Sequence, residues 1–221
     1  MSLDDQLISS FAFWLALLAC VTCSLVAIRY APWNALLERN ERQHLFFASL
    51  VFLPLFWLLN VYIQDQVVIH LMGITAITLM LGWSLAVVVG LFAQAAYWGV
   101  GQVSLYGLPV SMVFSVLLPA TVTYLLFWWV SRARFKNLFA YMLGVGFAGG
   151  VLSVLSMAGL LYIGASVSAD GPLAQWAETS FPFVLMLGFP EGFINGTVVT
   201  ALTVFYPDLM KTFDDDWYLR R

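Results

Sequence analysis

Long apolar runs constrain this sequence more than any other feature. A helix needs about 20 apolar residues to cross the hydrocarbon core of a bilayer. The chain is 62% hydrophobic and 10% charged, whereas soluble domains are about 25% charged. A soluble fold of this length could not bury so many apolar side chains. We therefore predict an all-α, polytopic membrane helical bundle, formed as one integral membrane domain over 1–221. The apolar runs are 7–28, 46–63, 67–98, 108–130, 138–165 and 180–206.

The positive charges predict how the chain is oriented. All nine Lys and Arg residues lie within 29–42, 132–136 and 211–221. Cytoplasmic loops of membrane proteins carry an excess of these residues. The pattern predicts a multi-pass protein of the cell (inner) membrane, with its N-terminus outside and its C-terminus in the cytoplasm. The segments predicted to lie outside contain no Lys or Arg, and they are 1–6, 64–66, 99–107 and 166–179.

The run 67–98 is too long for one ordinary crossing. Both loops that flank it are predicted to lie outside, so the run must enter the membrane and return. We predict two short helices, 67–81 and 84–98, that turn near Gly82 and Trp83, which gives seven membrane segments. The alternative is one long tilted helix with an interfacial piece. Short or interrupted segments are typical of the binding sites of transporters, where they line a cavity.

Glu191 is the clearest ionisable residue within an apolar run. Such groups are costly in a membrane and are candidates for function. The preceding Pro190 is expected to kink the helix, and Asn195 lies one turn away. Glu191 could be a ligand, a proton acceptor or a coupling group, or a hydrogen-bonded carboxyl that fixes helix packing. Small residues on the same and a neighbouring helix predict close helix contacts, and they are Gly188, Gly192, Gly196, Gly146 and Gly150.

Other candidates lie near the predicted outer surface. His70 begins the first short helix, and an imidazole is a common ligand for nickel, cobalt, zinc or copper. A structural histidine is the alternative. Gln94 and Gln102 flank the loop after the second short helix. They could line an outer mouth and contact a substrate, or satisfy backbone groups there.

Three further residues are expected to have structural roles. Cys20 and Cys23 lie three apart in the first run, and small buried cysteines are common packing residues. Their spacing in a helix does not make a closed metal site. His44 is predicted to lie at the cytoplasmic end of the second run, at the interface.

Two blocks of this sequence resemble a known transporter family. The first contains His70-Leu71-Met72-Gly73, the Gly82-Trp83 turn and the helix end Gln94-Ala95-Ala96-Tyr97-Trp98-Gly99. The second is Pro190-Glu191-Gly192-Phe193-Ile194-Asn195-Gly196. Together they are similar to CbiM/NikM-type proteins, the substrate-capture components of energy-coupling-factor transporters for cobalt and nickel. The resemblance covers about 67–125 and 180–207. It implies seven segments, a metal ion as substrate, a membrane coupling subunit and cytoplasmic ATPases.

The sequence departs from that family at its N-terminus. The resemblance implies a metal site built from the free N-terminal amine, a histidine directly after the initiator methionine and the histidine of the first block. Only the block histidine maps here, to His70, because position 2 is Ser2. The chain could bind a metal with other ligands, such as His70, Met72 or Asp65. It could also bind a different small substrate, or keep the fold in another role.

Two functions remain open from the sequence. The first is a substrate-binding, permease-like subunit for a transition-metal ion or related small nutrient. Because the chain has no ATP-binding loop, its energy would come from a partner or an ion gradient, and the resemblance implies partner subunits. The alternative is a non-transporting accessory or scaffold protein that assembles a larger membrane complex. No paired catalytic constellation is present, so we do not expect an enzyme. With a net charge of −3 and no basic patch outside the loops, we expect no nucleic-acid partner.

Overall fold

Helices make up most of the computed structural model, which describes residues 1–63, 66–133, 137–167 and 171–213. A π-helical segment, Val113–Leu117, joins α6 to α7, and another, Ala140–Phe147, leads into α8. Three short strands complete the described part, and they are β1 (Ser2–Leu3), β2 (Asn60–Ile63) and β3 (Val67–His70). The helices are α1 (Ser10–Tyr30), α2 (Trp33–Leu37), α3 (Asn40–Trp57), α4 (Ile74–Leu81), α5 (Trp83–Gly99), α6 (Leu108–Met112), α7 (Leu118–Ser131), α8 (Ala148–Val167), α9 (Pro172–Met186) and α10 (Gly188–Phe205).

Four helical stretches of the described chain are long and apolar enough to cross a bilayer. They contain 21, 24, 28 and 34 residues, and a helix rises about 1.5 Å per residue. Large apolar side chains point away from the protein along them, as Trp14, Trp129 and Phe193 do. The prediction of a multi-pass helical membrane protein is confirmed, while the count of seven segments and the orientation stay predictions. The stretches are Ser10–Tyr30, Leu108–Ser131, Ala140–Val167 and Pro172–Phe205.

A small antiparallel sheet replaces part of the predicted helices. The run 46–63 is helical only to Trp57 and ends as strand β2, and the run 67–81 begins as strand β3. The strand order is β1-β3-β2, with Asn60 opposite His70 and Ser2 opposite Val68. The prediction of a helix from residue 67 was therefore wrong, because β-branched residues in both strands favour extended backbone. The first short helix, α4, has only eight residues.

The turn between the two short helices lies where the sequence predicted it. α4 ends at Leu81 and α5 begins at Trp83, with Gly82 alone between them. Gly82 has φ +83° and ψ 164°, a conformation that residues with a Cβ rarely adopt. The prediction of two helices that turn near Gly82 and Trp83 is confirmed.

The last apolar run is longer and more divided than predicted. Helical structure begins at Pro172 rather than at 180, and the single predicted span 180–206 contains the end of α9 and all of α10. The helices separate at Leu187, three residues before Pro190, whose missing N–H and ring oppose a continuous helix. Glu191 consequently lies in the first turn of α10.

Glycine faces bring α10 against the helix that starts at Ala140. A Cβ added to Gly150 would lie 2.9 Å from the carbonyl oxygen of Glu191, and one added to Gly192 would lie 2.9 Å from that of Phe147. Such distances leave no room for a side chain, so the backbones meet directly. The predicted small-residue packing faces are confirmed.

Candidate metal-binding site

The amino group of Met1 meets the His70 imidazole inside the protein. Strand β1 pairs with β3 so that Ser2 lies opposite Val68, which carries Met1 beside the end of β3. The Met1 nitrogen lies 2.6 Å from His70 Nε2. Met1 is 1% exposed and His70 is 4% exposed. Two nitrogen donors thus share one buried point at the start of α4.

The hydrogen bonds of His70 fix which ring nitrogen carries the proton. Nδ1 lies 3.1 Å from the carbonyl oxygen of Leu71, which can only accept a hydrogen bond. Nδ1 therefore donates, and Nε2 presents its lone pair to the Met1 amine. This neutral tautomer is the form in which histidine binds metals.

Two serines of the α6–α7 helix hold Met1 in place. The Met1 amine donates to Ser115 Oγ at 2.5 Å, and Ser111 Oγ donates to the Met1 carbonyl oxygen at 2.9 Å. Ser115 lies in the π-helical segment, and it also donates to that carbonyl oxygen at 3.3 Å. Burial lowers the pKa of the Met1 amine from 8.0 to about 4, so the amine is neutral at pH 7. A neutral amine can bind a cation.

Aromatic rings enclose the imidazole. The Trp57 ring lies 4.7 Å from the His70 ring between centroids, and the Tyr97 ring lies 5.4 Å from it at an edge-on angle. Trp57 Nε1 donates to the Met72 carbonyl oxygen at 2.9 Å, which ties α3 to the start of α4. These contacts orient the imidazole and exclude water from it.

Gln94 is buried without a hydrogen-bond partner. It is 1% exposed, and neither its amide nitrogen nor its amide oxygen has a partner among the described residues. Residues three or four apart share a helix face. Gln94 therefore shares one face of α5 with Tyr97, whose ring contacts His70. Gly90 lies on the same face and packs against Val116. A buried amide without a partner costs free energy, and this one lies on the face that borders the Met1–His70 pair.

Gln102 closes one side of this region. Its amide oxygen accepts hydrogen bonds from Asn60 Nδ2 and from the Tyr62 hydroxyl, both at 3.1 Å. Its backbone carbonyl accepts from Ser2 Oγ at 3.3 Å. Asn60 also donates to the Tyr97 hydroxyl at 3.1 Å. Through these bonds the loop after α5 is tied to the sheet that carries Met1 and His70.

Glu191 and Asn195 form a second buried polar cluster, at the N-terminus of α4. The Glu191 carboxylate accepts from the backbone N–H of Met72 at 2.7 Å and of Gly73 at 2.8 Å. Asn195 Oδ1 accepts from the Ala76 N–H at 2.8 Å, and its Nδ2 donates to Glu191 Oε1 at 2.7 Å. The first N–H groups of a helix lack partners within it, and these two side chains supply them from α10.

The other two predicted metal ligands are Met72 and Asp65. Met72 is 2% exposed, and its backbone is bonded to Glu191 and Trp57. Asp65 lies outside the described residues. Within the described ranges, no group of three or more His, Cys, Asp or Glu side chains could hold a metal ion. Cys20 and Cys23 are free thiols on α1.

Reasoning from side-chain types missed the Met1 amine and the residues around it. The backbone amine has no side-chain signature, and its position depends on strand pairing between residues 64 and 66 positions apart. The only signal for it was the family resemblance, which names an N-terminal amine as a ligand. Nothing in the spacing of Ser111 and Ser115 distinguished them from other serines in apolar helices.

Comparison with known proteins identifies a family for the chain. A family model described as CbiM, cobalt uptake substrate-specific transmembrane region, matches residues 3–209. The match covers nearly all of the chain, including both blocks that carry the resemblance. Neither the curated proteins nor the solved structures contain a match.

Proposed function

Because the chain belongs to the CbiM family of cobalt-uptake transmembrane proteins, we propose that it is the substrate-binding membrane subunit of a transition-metal uptake system. The carrying observation is the buried contact between the Met1 amine and His70 Nε2. Both groups are neutral nitrogen donors, a ligand type that suits cobalt, nickel, copper and zinc. The proposed substrate is a divalent ion of this group, with cobalt as the first candidate.

The spacing of the two nitrogens suits a shared ion. Ligands about 2.0 Å from one metal and at right angles to each other are about 2.8 Å apart. The Met1 nitrogen and His70 Nε2 are 2.6 Å apart. A small outward movement of either group is enough to place an ion between them. The ion would replace the hydrogen bond that now joins them.

Gln94 is the third proposed ligand. Ser2 stands where the family resemblance expects a second histidine, so the site lacks one imidazole. The unpartnered Gln94 amide lies on the helix face that borders the pair. Its oxygen would bind the ion directly or through one water. An amide oxygen is a harder ligand than imidazole, so this substitution shifts the preference of the site away from copper and nickel.

Glu191 and Asn195 are proposed to hold α4 rather than to bind the ion. Their oxygens are occupied by three backbone N–H groups and by each other. This network fixes Met72 and Gly73, which follow directly after His70 and Leu71. Glu191 and Asn195 therefore position the proposed metal site without contacting the ion.

The proposed energy source lies outside this chain. The sequence has no ATP-binding loop, so transport is expected to need a membrane coupling subunit and cytoplasmic ATPases. These partners should co-purify with the full chain from cells that express the neighbouring genes. Stable co-purification of another complex, with no binding of any divalent ion, would favour the scaffold alternative.

The chain offers its own control for the metal test. It contains two histidines, His70 in the site and His44, which is exposed on α3. Calorimetric titration of the purified protein with cobalt, nickel and zinc should show one site per chain. His70→Ala should weaken binding by about 100-fold or more, and His44→Ala should leave it unchanged. Equal binding by both variants, or no binding by the wild-type protein, would reject the proposal.

A further inference from the structure

A cavity of about 650 Å³ lies at the opposite end of α4 from the metal site. Its walls come from α1, from the turn between α4 and α5, from α7 and from the segment after α10. α4 has eight residues and is about 12 Å long. The cavity is therefore separate from the Met1–His70 pair, and its assignment does not rest on metal binding.

Lys211 brings a positive charge to this cavity. Its backbone N–H donates to the Met80 carbonyl oxygen at 3.0 Å, which anchors the residue at the end of α4. Its side chain crosses Gly82, where an added Cβ would lie 2.8 Å from Nζ. Partial burial and the nearby Arg42 lower the pKa of Lys211. No acidic side chain of the described residues pairs with either cation.

Arg42 adds to the positive potential at this end of α4. It lines a small pocket together with Lys211 and Met80, and its Nε is buried without a partner. Two neighbouring cations with no acidic partner among the described residues are costly to keep partly buried. An anion bound near Lys211 would offset that cost.

The walls of the cavity combine hydroxyl groups with apolar rings. Tyr30, Ser84 and Tyr124 line it, and their hydroxyls have no hydrogen bonds to other described residues. Trp83 and Phe127 supply apolar surface, and Trp83 Nε1 donates to Thr121 Oγ1 at 3.1 Å. Tyr and Trp side chains are typical of the membrane–water interface, where one end is apolar and the other is wet. Such a site suits a ligand with a phosphate and an acyl chain.

We propose that this cavity binds one anionic phospholipid, with Lys211 paired to the headgroup phosphate and the acyl chain lying along α7. The exposed face of α7 next to the cavity is apolar, with Leu125 58% exposed and Trp129 70% exposed. This face is part of the surface that α7 turns to the bilayer, so a lipid whose phosphate pairs with Lys211 would have its acyl chain in contact with it, whereas a soluble phosphate would use Lys211 alone. The lipid therefore accounts for both the charge and the apolar wall.

Native mass spectrometry of the full chain released from detergent tests this assignment. The protein is equilibrated with phosphatidylglycerol or phosphatidylcholine, and the fraction that retains one lipid is measured. We expect phosphatidylglycerol to be retained in preference, and Lys211→Gln to reduce its retention about five- to tenfold. Arg132→Gln is the matched control, because Arg132 lies over the Trp128 ring, 3.7 Å from its centroid, and does not line the cavity. That variant should retain the lipid as the wild type does.

Two further arms keep the test decisive. Tyr124→Phe removes one hydroxyl with little risk to folding, and it should weaken retention about threefold. Inorganic phosphate at millimolar concentration should not displace the lipid. Equal retention of both lipids, an unchanged Lys211→Gln variant, or displacement by phosphate alone would each overturn the proposal.

Discussion

Two buried polar clusters flank the start of α4, and they differ in how completely their atoms are paired. In the Glu191–Asn195 cluster, three backbone N–H groups and one amide N–H saturate the oxygens. In the other cluster, the Met1 nitrogen lies 2.6 Å from His70 Nε2, and the Gln94 amide has no partner among the described residues. A saturated cluster stabilises the fold, whereas an unsaturated one is available to a ligand. In the sequence both clusters look alike, because each contains polar side chains within apolar runs.

The largest expected effect is on stability, from the saturated cluster. Glu191→Leu leaves the N–H groups of Met72 and Gly73 unpaired, each at a cost of about 1–3 kcal/mol. We expect a loss of about 4 kcal/mol in the free energy of unfolding, measured by denaturation in detergent. The control is Glu178→Leu, at an exposed position of α9, which should change stability by less than about 0.5 kcal/mol. Similar losses in both variants would show that Glu191 does not hold α4.

Gln94→Leu should raise stability and lower cobalt affinity. The leucine removes an unpaired buried amide, so the free energy of unfolding should rise by about 1 kcal/mol. Cobalt affinity should fall about tenfold, because the third proposed ligand is lost. Asn195→Leu is the matching variant of the saturated cluster, and it should lower stability while weakening cobalt binding less than Gln94→Leu does. If Gln94→Leu lowered stability as Asn195→Leu does, the difference between the clusters would disappear.

The Met1 amine predicts an unusual dependence of metal binding on pH. An amine must lose its proton to bind a metal, and with its ordinary pKa of 8.0 the affinity would fall about 50-fold between pH 8 and pH 6. Burial lowers this pKa to about 4, so the amine is already neutral over that range. Proton competition at the amine should begin only as the pH approaches 4. Titrations at pH 6, 7 and 8 should give similar dissociation constants, and a tenfold loss per pH unit would contradict the buried amine.

The smallest expected effect is kinetic and concerns Gln102. Gln102→Ala removes the acceptor that joins the loop after α5 to Asn60 and Tyr62. Metal release to a chelator, followed by stopped flow, should become about threefold faster, with the number of sites unchanged. Gln43→Ala is the control, because the Gln43 side chain also makes a hydrogen bond, to the Leu37 carbonyl oxygen, far from the site. If metal release became equally faster in both variants, Gln102 would not be the residue that closes the site.

Hydropathy was enough to predict the long helices, because each needs only its own residues to satisfy its backbone in lipid. The turn at Gly82 also followed from local sequence. The sheet did not, because β1 has two residues and its partners in β3 are 64 and 66 positions away. Its pairing depends on tertiary contacts that no local pattern carries.

The site was predictable only in its side chains. His70 and Gln94 stood out as polar residues in apolar runs, and the structure places them on neighbouring elements. The Met1 amine could not be found in this way, since every chain has one. The partners of Glu191 were equally hidden, because they are backbone N–H groups about 118 positions away in the chain.

X-ray absorption of the cobalt-loaded protein tests the central claim most directly, after intact-mass measurement has identified Met1 as the N-terminal residue. Metal–nitrogen and metal–oxygen bonds are about 2.0–2.2 Å long, and metal–sulfur bonds are about 2.3 Å. We predict a first shell of nitrogen and oxygen donors only, with the outer-shell scattering of one imidazole, which His70→Ala removes. A sulfur ligand, or a spectrum without imidazole scattering, would contradict a metal ion shared by Met1 and His70.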